Sequence, residues 1–160
     1  MSTERWAPRA TVAVVVCDNQ GRYLLVEEKS RAAEHAGVPS VFNQPAGHLE
    51  LNESLREATL RETREESGWE VALTGYLGFY SNQAPNGVVY HSHTLIAEPV
   101  KALDTELDTG IIAVHWLGYD EICTLAEGRR LRSPLVLARI DDHRRGDHFP
   151  LSLLHEQYPD

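Results

Sequence analysis

Three glutamates lie close together in the segment RETREESG at residues 61–68, where the chain is predicted to be helical. On a helix, Glu65 and Glu66 follow Glu62 by three and four positions, so the three side chains fall on one side. They lie at the C-terminal, negative end of the helix dipole, where cationic side chains are normally favoured. Carboxylate oxygens are the ligands that Mg²⁺ and Mn²⁺ prefer. The cluster therefore predicts a divalent cation site.

A solvated charged face is the alternative interpretation of this cluster. Arg61 and Arg64 would then form helical ion pairs, each worth about 0.2–0.5 kcal/mol. However, the glutamates continue the side of the helix that carries Leu55, Ala58 and Thr59 and is predicted to face the core. The side chains predicted to point the other way are Arg56, Leu60, Arg64 and Ser67. Because a buried isolated charge costs several kcal/mol, carboxylates on the core-facing side need a cationic partner, which favours the metal site.

The glutamate helix is predicted to span residues 53–67. Asn52 is its predicted N-cap, and Gly68 lies where a C-terminal cap belongs. The segment 41–47 before it is predicted to be extended, because it contains a residue that precedes proline. These two segments are predicted to position the acidic cluster.

Strand patterns surround this helix. The run TVAVVVCD at 11–18 is almost continuously apolar, as expected of a strand buried on both faces, and 22–28 is its predicted hairpin partner. The polar stretch 29–40 is predicted to be a loop long enough to lie over a site. Further strands are predicted at 70–81, 88–100 and 111–118, and further helices at 119–128 and 133–146, the latter with Ser133 as N-cap and Pro134 at its first position.

The length and composition fit one globular domain. The 160 residues, 42% of them hydrophobic and 24% charged, are enough to bury a core. The mixed order of strands and helices predicts a single α/β domain over residues 1–160, with its core at about 10–154. In this architecture a mixed β-sheet lies between helices, as an α-β-α sandwich.

The charge and the cysteines restrict the partners and the compartment. A formal net charge of -9 argues against binding to long nucleic acid or to an anionic membrane surface. The two cysteines, Cys17 and Cys123, form no disulfide framework or zinc-ligand cluster. The N-terminus lacks the apolar region of a secretory signal, and no stretch is long enough for a membrane-spanning helix. These features predict a cytoplasmic protein.

The segment GHLELNESLREATLRETREESGW at 47–69 resembles the Nudix box, G-x5-E-x7-R-E-U-x-E-E-x-G-U, where U is a bulky aliphatic residue. The residues in register are Gly47, Glu53, Arg61, Glu62, Glu65, Glu66 and Gly68. Thr63 and Trp69 occupy the two U positions and depart from the pattern. The flanking segments FNQPAGHLE, LRSPLV and FPLSLL resemble the NudJ-type phosphatase branch of the Nudix hydrolases. The resemblance implies the Nudix-type sandwich.

The resemblance also implies roles for the box residues. Glu62, Glu65 and Glu66 are expected to bind divalent cations, with the backbone carbonyl of Gly47 as a further ligand. Glu53 is expected to support the ligands or to act as the base, and the base is left open between Glu53 and Glu66. Arg61 is expected to orient a box carboxylate, with Glu57, four positions before it, as one helical partner.

Residues outside the box are expected to complete the site. In this family a carboxylate from a later loop often joins the metal cluster, and Glu106 or Asp108 in ALDTELD is the candidate, with Glu106 as the expected metal ligand. The alternative is an ordinary acidic solvent loop. The expected substrate contacts are Gln44, Arg132 and Ser133, with Tyr80 and Asn82 as further candidates; Arg132 adjoins a helix N-terminus, and both attract phosphate. His91 and His93 alternate on one strand face, and lining a surface or pocket is favoured over binding zinc.

The resemblance implies a Mg²⁺-dependent hydrolase of phosphoric anhydride bonds, with Mn²⁺ able to substitute. Its expected partner is a small phosphorylated metabolite, namely a nucleoside di- or triphosphate or the thiamine-pathway hydroxymethylpyrimidine diphosphate. One alternative is a pyrophosphatase of nucleotide sugars or dinucleoside polyphosphates, and another is a non-catalytic nucleotide-binding regulator. The complete set of box carboxylates favours catalysis. A monomer and a homodimer are both compatible with the sequence.

Overall fold

The computed structural model describes residues 4–30 and 35–159. The predicted loop at 29–40 thus lies partly outside the described residues, and its first residue belongs to a strand. The strands are β1 (Arg9–Val16), β2 (Tyr23–Lys29), β3 (Ser40–Asn43), β4 (Ala46–His48), β5 (Trp69–Gln83), β6 (Val89–Ala102) and β7 (Ile111–Leu117). The helices are α1 (Leu55–Ser67), α2 (Tyr119–Glu127) and α3 (Pro134–Arg145), followed by a 3-10 turn at Leu151–Leu153.

The strands are divided between two sheets. One is mixed, in the order β4-β1-β6-β5, with β1 parallel to β6 and the other pairs antiparallel. The other is antiparallel, in the order β3-β2-β7. The expected hairpin between 11–18 and 22–28 is wrong, because the two strands meet at a bridge between Cys17 and Tyr23 and then enter different sheets. Each of these buried strands takes two other neighbours, which satisfy its backbone on both edges.

The helices cover both faces of the mixed sheet, which confirms the predicted α/β class. On one face of β1, Val14 and Val16 pack in a cluster with Leu60 of α1. Val15 points to the other face and packs in a cluster with residues of α2 and α3. This alternation explains the continuous apolar run, since β1 is buried from both sides. None of the helices in residues 4–30 and 35–159 is long and apolar enough to cross a membrane.

The N-cap of helix α1 lies two residues later than the predicted one. Ser54 is the N-cap, and its hydroxyl accepts a hydrogen bond from the Glu57 N–H at 3.1 Å. The Glu57 carboxylate in turn accepts from the Ser54 N–H at 3.2 Å, completing a capping box. Asn52 instead has a positive φ of 61° in the turn before the helix. Gly68 ends the helix in the left-handed conformation, as predicted.

Ser54→Ala should lower the free energy of unfolding by about 1 kcal/mol, because it removes the acceptor of the Glu57 N–H. Asn52→Gly is the matched variant, and it should be neutral or slightly stabilising, since glycine tolerates a positive φ. Urea unfolding of both variants tests this assignment of the cap. The reverse ranking would place the cap at Asn52.

The buried side of α1 differs in part from the predicted one. Ser67, predicted to point outwards, is buried, and Thr63 is fully buried beside it. Their hydroxyls are satisfied within the helix: Thr63 donates to the Thr59 carbonyl, and Ser67 donates to the Thr63 carbonyl. Small hydroxyl side chains therefore continue the core-facing side of α1 toward its C-terminal end, beside the glutamates that were predicted to continue it. Arg56 does lie on the outside, and its guanidinium donates to the Leu151 carbonyl at 2.7 Å.

The remaining elements agree closely with the sequence predictions. Ser133 caps α3, with its hydroxyl accepting from the Leu135 N–H at 3.2 Å, and Pro134 occupies the first position. The extended segment 41–47 is realised as β3 and the beginning of β4. β4 pairs with β1 and lies beside α1, so the first residues of the Nudix-like segment adjoin its acidic end.

Candidate functional site

The C-terminal half of α1 lies directly against β4 at Gly47. A Cβ atom built on Gly47 would lie 2.1 Å from the Cδ and Oε1 atoms of Glu62. The Glu62 carboxylate thus occupies the space where any other residue would carry its side chain, and it is only 13% exposed. Burial raises the pKa of Glu62 above its usual value, although its hydrogen bond to Arg61 opposes the shift.

Glu66 is the most strongly perturbed carboxyl of the cluster. Its Oε1 accepts a hydrogen bond from the Ala46 N–H at 2.7 Å. Burial raises the pKa of Glu66 to about 8, and the nearby charges of Glu62, Glu28 and Asp108 act in the same direction. In the absence of a cation, Glu66 is therefore largely protonated at neutral pH.

Arg61 supplies positive charge to the cluster from within. Its Nε and Nη2 donate to the two Glu53 oxygens at 2.6 and 2.9 Å, which is a bidentate pair. Its Nη1 donates to Glu62 at 2.9 Å and to Glu65 at 3.2 Å, and Nη2 also donates to the His48 carbonyl at 3.1 Å. The bond to Arg61 lowers the pKa of Glu53. The suggested helical partner of Arg61, Glu57, is used instead in the capping box.

The acidic loop after β6 brings one carboxylate to the helix end. Glu62, Glu65 and Asp108 each offer a carboxylate oxygen, and these oxygens lie within 4.8 Å of one another. The Asp108 N–H donates to the Glu65 carbonyl at 2.9 Å, which fixes the loop to α1. Glu106 is exposed and lies outside this group in the described part of the chain. The structure therefore places Asp108, rather than Glu106, with the two box glutamates.

This donor set fits a hard divalent cation. The ligand atoms are carboxylate oxygens from α1 and from a loop that is bonded to it, which is the chemistry that Mg²⁺ and Mn²⁺ take. Arg61 contacts Glu62 and Glu65, yet burial and mutual repulsion still raise the pKa of Glu62 and Glu66. A cation would favour the ionised forms of both carboxyls. Gly47 matters to the fit because it leaves room for the Glu62 carboxylate.

Two cavities meet at this cluster. The smaller, of about 470 Å³, lies beside Asp108 and is lined by Glu28, His35, Glu66 and Arg132 among others. The larger, of about 1290 Å³, shares those four residues and extends over β4, β1 and β6. The larger cavity is bounded by the turn at residues 82–86 and the beginning of α3. The acidic cluster therefore borders a cleft large enough for a nucleotide-sized molecule.

The predicted substrate contacts have different surroundings. Arg132 lines both cavities and pairs with Glu28. Its side chain is 54% exposed, so its guanidinium is also accessible from the cleft. Ser133 lines the larger cavity while capping α3. Gln44 is only 1% exposed, and its amide donates to the Val136 carbonyl at 2.8 Å, so it positions α3 from inside the core. This burial argues against direct substrate contact by Gln44.

The other polar candidates are also placed by the structure. Asn82 lines the larger cavity, whereas the Tyr80 hydroxyl donates to Asp142 at 2.6 Å. His93 Nδ1 lies 3.0 Å from the Tyr76 hydroxyl, and His91 packs against the Phe79 ring. Among the described residues, neither histidine belongs to a group that could hold a metal ion.

Sequence reasoning did not identify Arg139, which lines the larger cavity. A signal was present, because Arg139 follows Val136 by three positions and precedes Ile140, and so lies on the apolar side of α3. Both Val136 and Ile140 are fully buried. A charged residue at such a position calls for a specific explanation.

The stability of the metal-free protein should fall as the pH rises from 6.5 to 8. Glu66 has a folded pKa of about 8 against an ordinary value of 4.5, so in this window the folded state holds a proton that the unfolded state has lost. The slope should approach about 1.4 kcal/mol per pH unit. Urea unfolding in EDTA measures it, with Glu66→Gln as the control that should flatten the slope. His93 and His143, whose lowered pKa values act in the opposite direction, are neutral in both states over most of this window.

Comparison with known proteins agrees with the fold and with the helix sequence. A NUDIX domain family model matches residues 7–139. The chain is 32% identical to Phosphatase NudJ of Escherichia coli strain K12 over 148 residues, covering 92% of this chain and 90% of that protein. The structure of a NUDIX hydrolase from Nitrosomonas europaea is similar with a TM-score of 0.85 and 37% identity, covering 94% of this chain and 98% of that one. A MutT protein from Methanosarcina mazei Go1, 18% identical over 89% of this chain and 99% of its own, shares the fold with a TM-score of 0.66.

Proposed function

Since this chain belongs to the Nudix family and is a hydrolase acting on phosphoric anhydride bonds, we propose that it is a Mg²⁺-dependent phosphatase of small diphosphate-containing metabolites. The substrate class is nucleoside di- and triphosphates or the thiamine-pathway hydroxymethylpyrimidine diphosphate, with release of inorganic phosphate. The name of the Escherichia coli relative, Phosphatase NudJ, supports phosphate as the product.

One observation carries this proposal. The carboxylates of Glu62, Glu65 and Asp108 converge within 4.8 Å at the edge of a cleft that also exposes Glu66 and Arg132. Clusters of acidic oxygens hold Mg²⁺ together with substrate phosphates. Arg132 lines the same smaller cavity as Asp108 and can donate to the same phosphates. With a cation and Arg132 beside its phosphates, an anionic substrate can bind to a protein of net charge -9.

Glu62, Glu65 and Asp108 would hold the cation, with the Gly47 carbonyl as a further candidate. When bound, a divalent cation neutralises charge that develops on the phosphate oxygens. Arg61 fixes the directions of Glu53, Glu62 and Glu65 through its four hydrogen bonds to them. It acts through those carboxylates and is a positioning residue.

Glu66 is the better candidate for the general base. Its carboxyl lines both cavities, and the burial that raises its pKa in the metal-free protein opposes the lowering of that pKa by a bound cation, which keeps Glu66 a proton acceptor near neutral pH. Both oxygens of Glu53, by contrast, accept hydrogen bonds from Arg61, and this lowers the pKa of Glu53 and makes it a weak base. We therefore assign to Glu66 the removal of the proton from the attacking water, and to Glu53 the support of Arg61.

A phosphate-release assay tests the proposal. Nucleoside di- and triphosphates, the pyrimidine diphosphate, a nucleotide sugar and a dinucleoside polyphosphate are incubated with the protein, with Mg²⁺ or with EDTA, and the products are identified. Glu66→Gln, purified in the same way, controls for contaminating phosphatases. We expect Mg²⁺-dependent inorganic phosphate from the diphosphates. Cleavage of a nucleotide sugar or dinucleoside polyphosphate into two nucleoside-containing or sugar-containing fragments would instead support the pyrophosphatase, and nucleotide binding without any turnover would support a regulator.

A further inference from the structure

Arg139 in α3 is buried with its charge intact. Only 5% of the residue is exposed. Its Nε donates to the Thr94 hydroxyl at 3.0 Å, Nη2 donates to the Ser92 hydroxyl at 3.0 Å, and Nη1 donates to the Gln44 carbonyl oxygen at 3.3 Å. All three acceptors are neutral. A guanidinium has five N–H donors, so three well-separated bonds fix its plane and leave two donors for another molecule.

The partners of Arg139 differ from those of six other arginines, which form ion pairs with carboxylates. Arginines that pair with carboxylates are Arg22, Arg56, Arg61, Arg130, Arg132 and Arg145. Within residues 4–30 and 35–159, no carboxylate forms an ion pair with Arg139, although the chain has nine more acidic than basic residues. Burial lowers its pKa to about 10, at which it is still charged at neutral pH. The Tyr80 ring centroid lies 5.4 Å from the guanidinium carbon and offsets part of this charge. Because a buried charge without an anionic partner is costly to stability, its retention points to a functional use.

Arg139 faces the same cleft as the acidic cluster, and the strand pairing gives the approximate distance between them. It lines the larger cavity, as Glu66 does. Its acceptor Thr94 on β6 pairs with Ala13 on β1, and Ala13 pairs with Ala46 on β4, whose N–H binds Glu66. Neighbouring strands lie 4.7–4.9 Å apart, so two strand spacings separate the anchors of Arg139 and Glu66 by about 10 Å.

An aromatic surface lies beside the guanidinium on the same side of the sheet. Tyr90, Ser92 and Thr94 alternate along β6 and therefore point to one face. Tyr90 lines the cleft together with His48, and their ring centroids are 6.2 Å apart. A flat heterocycle can stack on such rings while its edge meets Arg139.

The separation identifies which part of a substrate would reach Arg139. Neighbouring phosphates share an oxygen atom, so a second phosphate would lie much nearer to Glu66 than about 10 Å. The base of a nucleotide lies at the far end of the molecule. An arginine only donates hydrogen bonds, and guanine presents two acceptors, O6 and N7, on one edge, whereas adenine presents N7 beside a donating amino group.

We propose that Arg139 reads the O6/N7 edge of a guanine base whose phosphates lie at the acidic cluster. The inference rests on the proposed function for the placement of the phosphates. Arg139 thereby acts as a specificity-determining residue for purine nucleotides, with Ser92, Thr94 and Gln44 holding its plane. Hypoxanthine, which also carries O6 and N7, is expected to be accepted in the same way.

Calorimetric titration with GMP and AMP in the presence of Mg²⁺ tests this directly, because monophosphates have no anhydride bond to be hydrolysed. The full chain should bind GMP at least about tenfold more tightly than AMP, and Arg139→Met should bring the ratio of the two affinities to about one. IMP should resemble GMP. Arg132→Met is the matched control, since Arg132 lines the same cavity near the phosphates; it should weaken both ligands equally and leave the ratio unchanged.

Arg139→Lys provides a second test that keeps the charge and loses the two-pronged geometry. It should also lose most of the preference, and its melting temperature shows whether the fold is preserved when Arg139→Met is unstable. Equal affinities for GMP and AMP in the unmodified chain, or an unchanged ratio in a folded Arg139 variant, would overturn the inference. Failure of phosphate release with an intact GMP preference would instead contradict the proposed function alone.

Discussion

Glu66→Gln is expected to lower kcat by about 10²–10⁴-fold on the best substrate while leaving the protein folded. The substitution keeps the shape of the side chain and a carbonyl oxygen to accept the Ala46 N–H. It removes the group whose pKa burial has raised to about 8 and which lines both cavities. Initial rates of phosphate release at saturating Mg²⁺, with circular dichroism of the variant, measure the effect.

Two further variants separate a base from a metal ligand. Asp108→Asn should reduce the increase in melting temperature that Mg²⁺ produces, because Asp108 shares the ligand group of Glu62 and Glu65. Glu66→Gln should retain most of that increase. Glu106→Gln is the matched control in the same loop, and both its turnover and its Mg²⁺ response should stay within about twofold of the unmodified chain, since Glu106 is exposed. Unimpaired turnover in Glu66→Gln would exclude Glu66 as the base.

The parts of the fold that follow from local sequence were predictable. Apolar runs located the strands, and Gly68, Ser133 and Pro134 marked helix ends correctly, because caps depend on residues within one turn. The box placed its glutamates on one helix for the same reason. The N-cap was misplaced at Asn52, where a second nearby residue, Ser54, had an equally good cap side chain and the partner Glu57 three positions later.

Features that depend on long-range contacts were not predictable in this way. The separation of β1 and β2 into two sheets depends on β4, β6 and β7, whose paired residues are 33 to 94 positions away in the chain. Asp108, rather than Glu106, lies at the acidic cluster because its N–H donates to the Glu65 carbonyl. The spacing of the acidic residues in the sequence does not reveal this contact. Gln44 has a side chain suited to substrate, but a sequence alone does not show that α3 covers it.

Part of the positive charge beside the α1 glutamates comes from the protein itself. The sequence suggested that the glutamates at the end of α1 lacked a positive partner other than a metal ion. Arg61 supplies part of that charge, with hydrogen bonds to Glu62 and Glu65 as well as to Glu53. In the described part of the chain Arg61 forms no hydrogen bond or ion pair with Glu66, and burial raises the pKa of Glu66 to about 8. The cluster is thus held together by Arg61 at one side and has its strongest proton affinity at the other, beside the cleft.

Gly47→Ala is expected to lower kcat/KM by at least about 10²-fold. The new Cβ would lie 2.1 Å from the Glu62 Cδ, closer than atoms can approach, so either the Glu62 carboxylate or β4 must move. Glu62 is both a member of the proposed ligand group and a hydrogen-bond partner of Arg61. A displacement of about 1 Å in a catalytic group can cost 10²-fold in rate. The added methyl should also lower stability by about 1–3 kcal/mol through overpacking.

Gly118→Ala is the matched control, because a Cβ there would meet its nearest neighbour, the Glu121 Oε2, at an ordinary 3.5 Å. It should leave kcat/KM within about twofold, and the Mg²⁺-dependent rise in melting temperature should be kept in Gly118→Ala and lost in Gly47→Ala. Combining Gly47→Ala with Glu62→Asp shortens the crowded side chain and should restore part of the stability without restoring activity, since the carboxylate no longer reaches its partners. Full activity in Gly47→Ala would mean that the Glu62 position seen here is dispensable for catalysis.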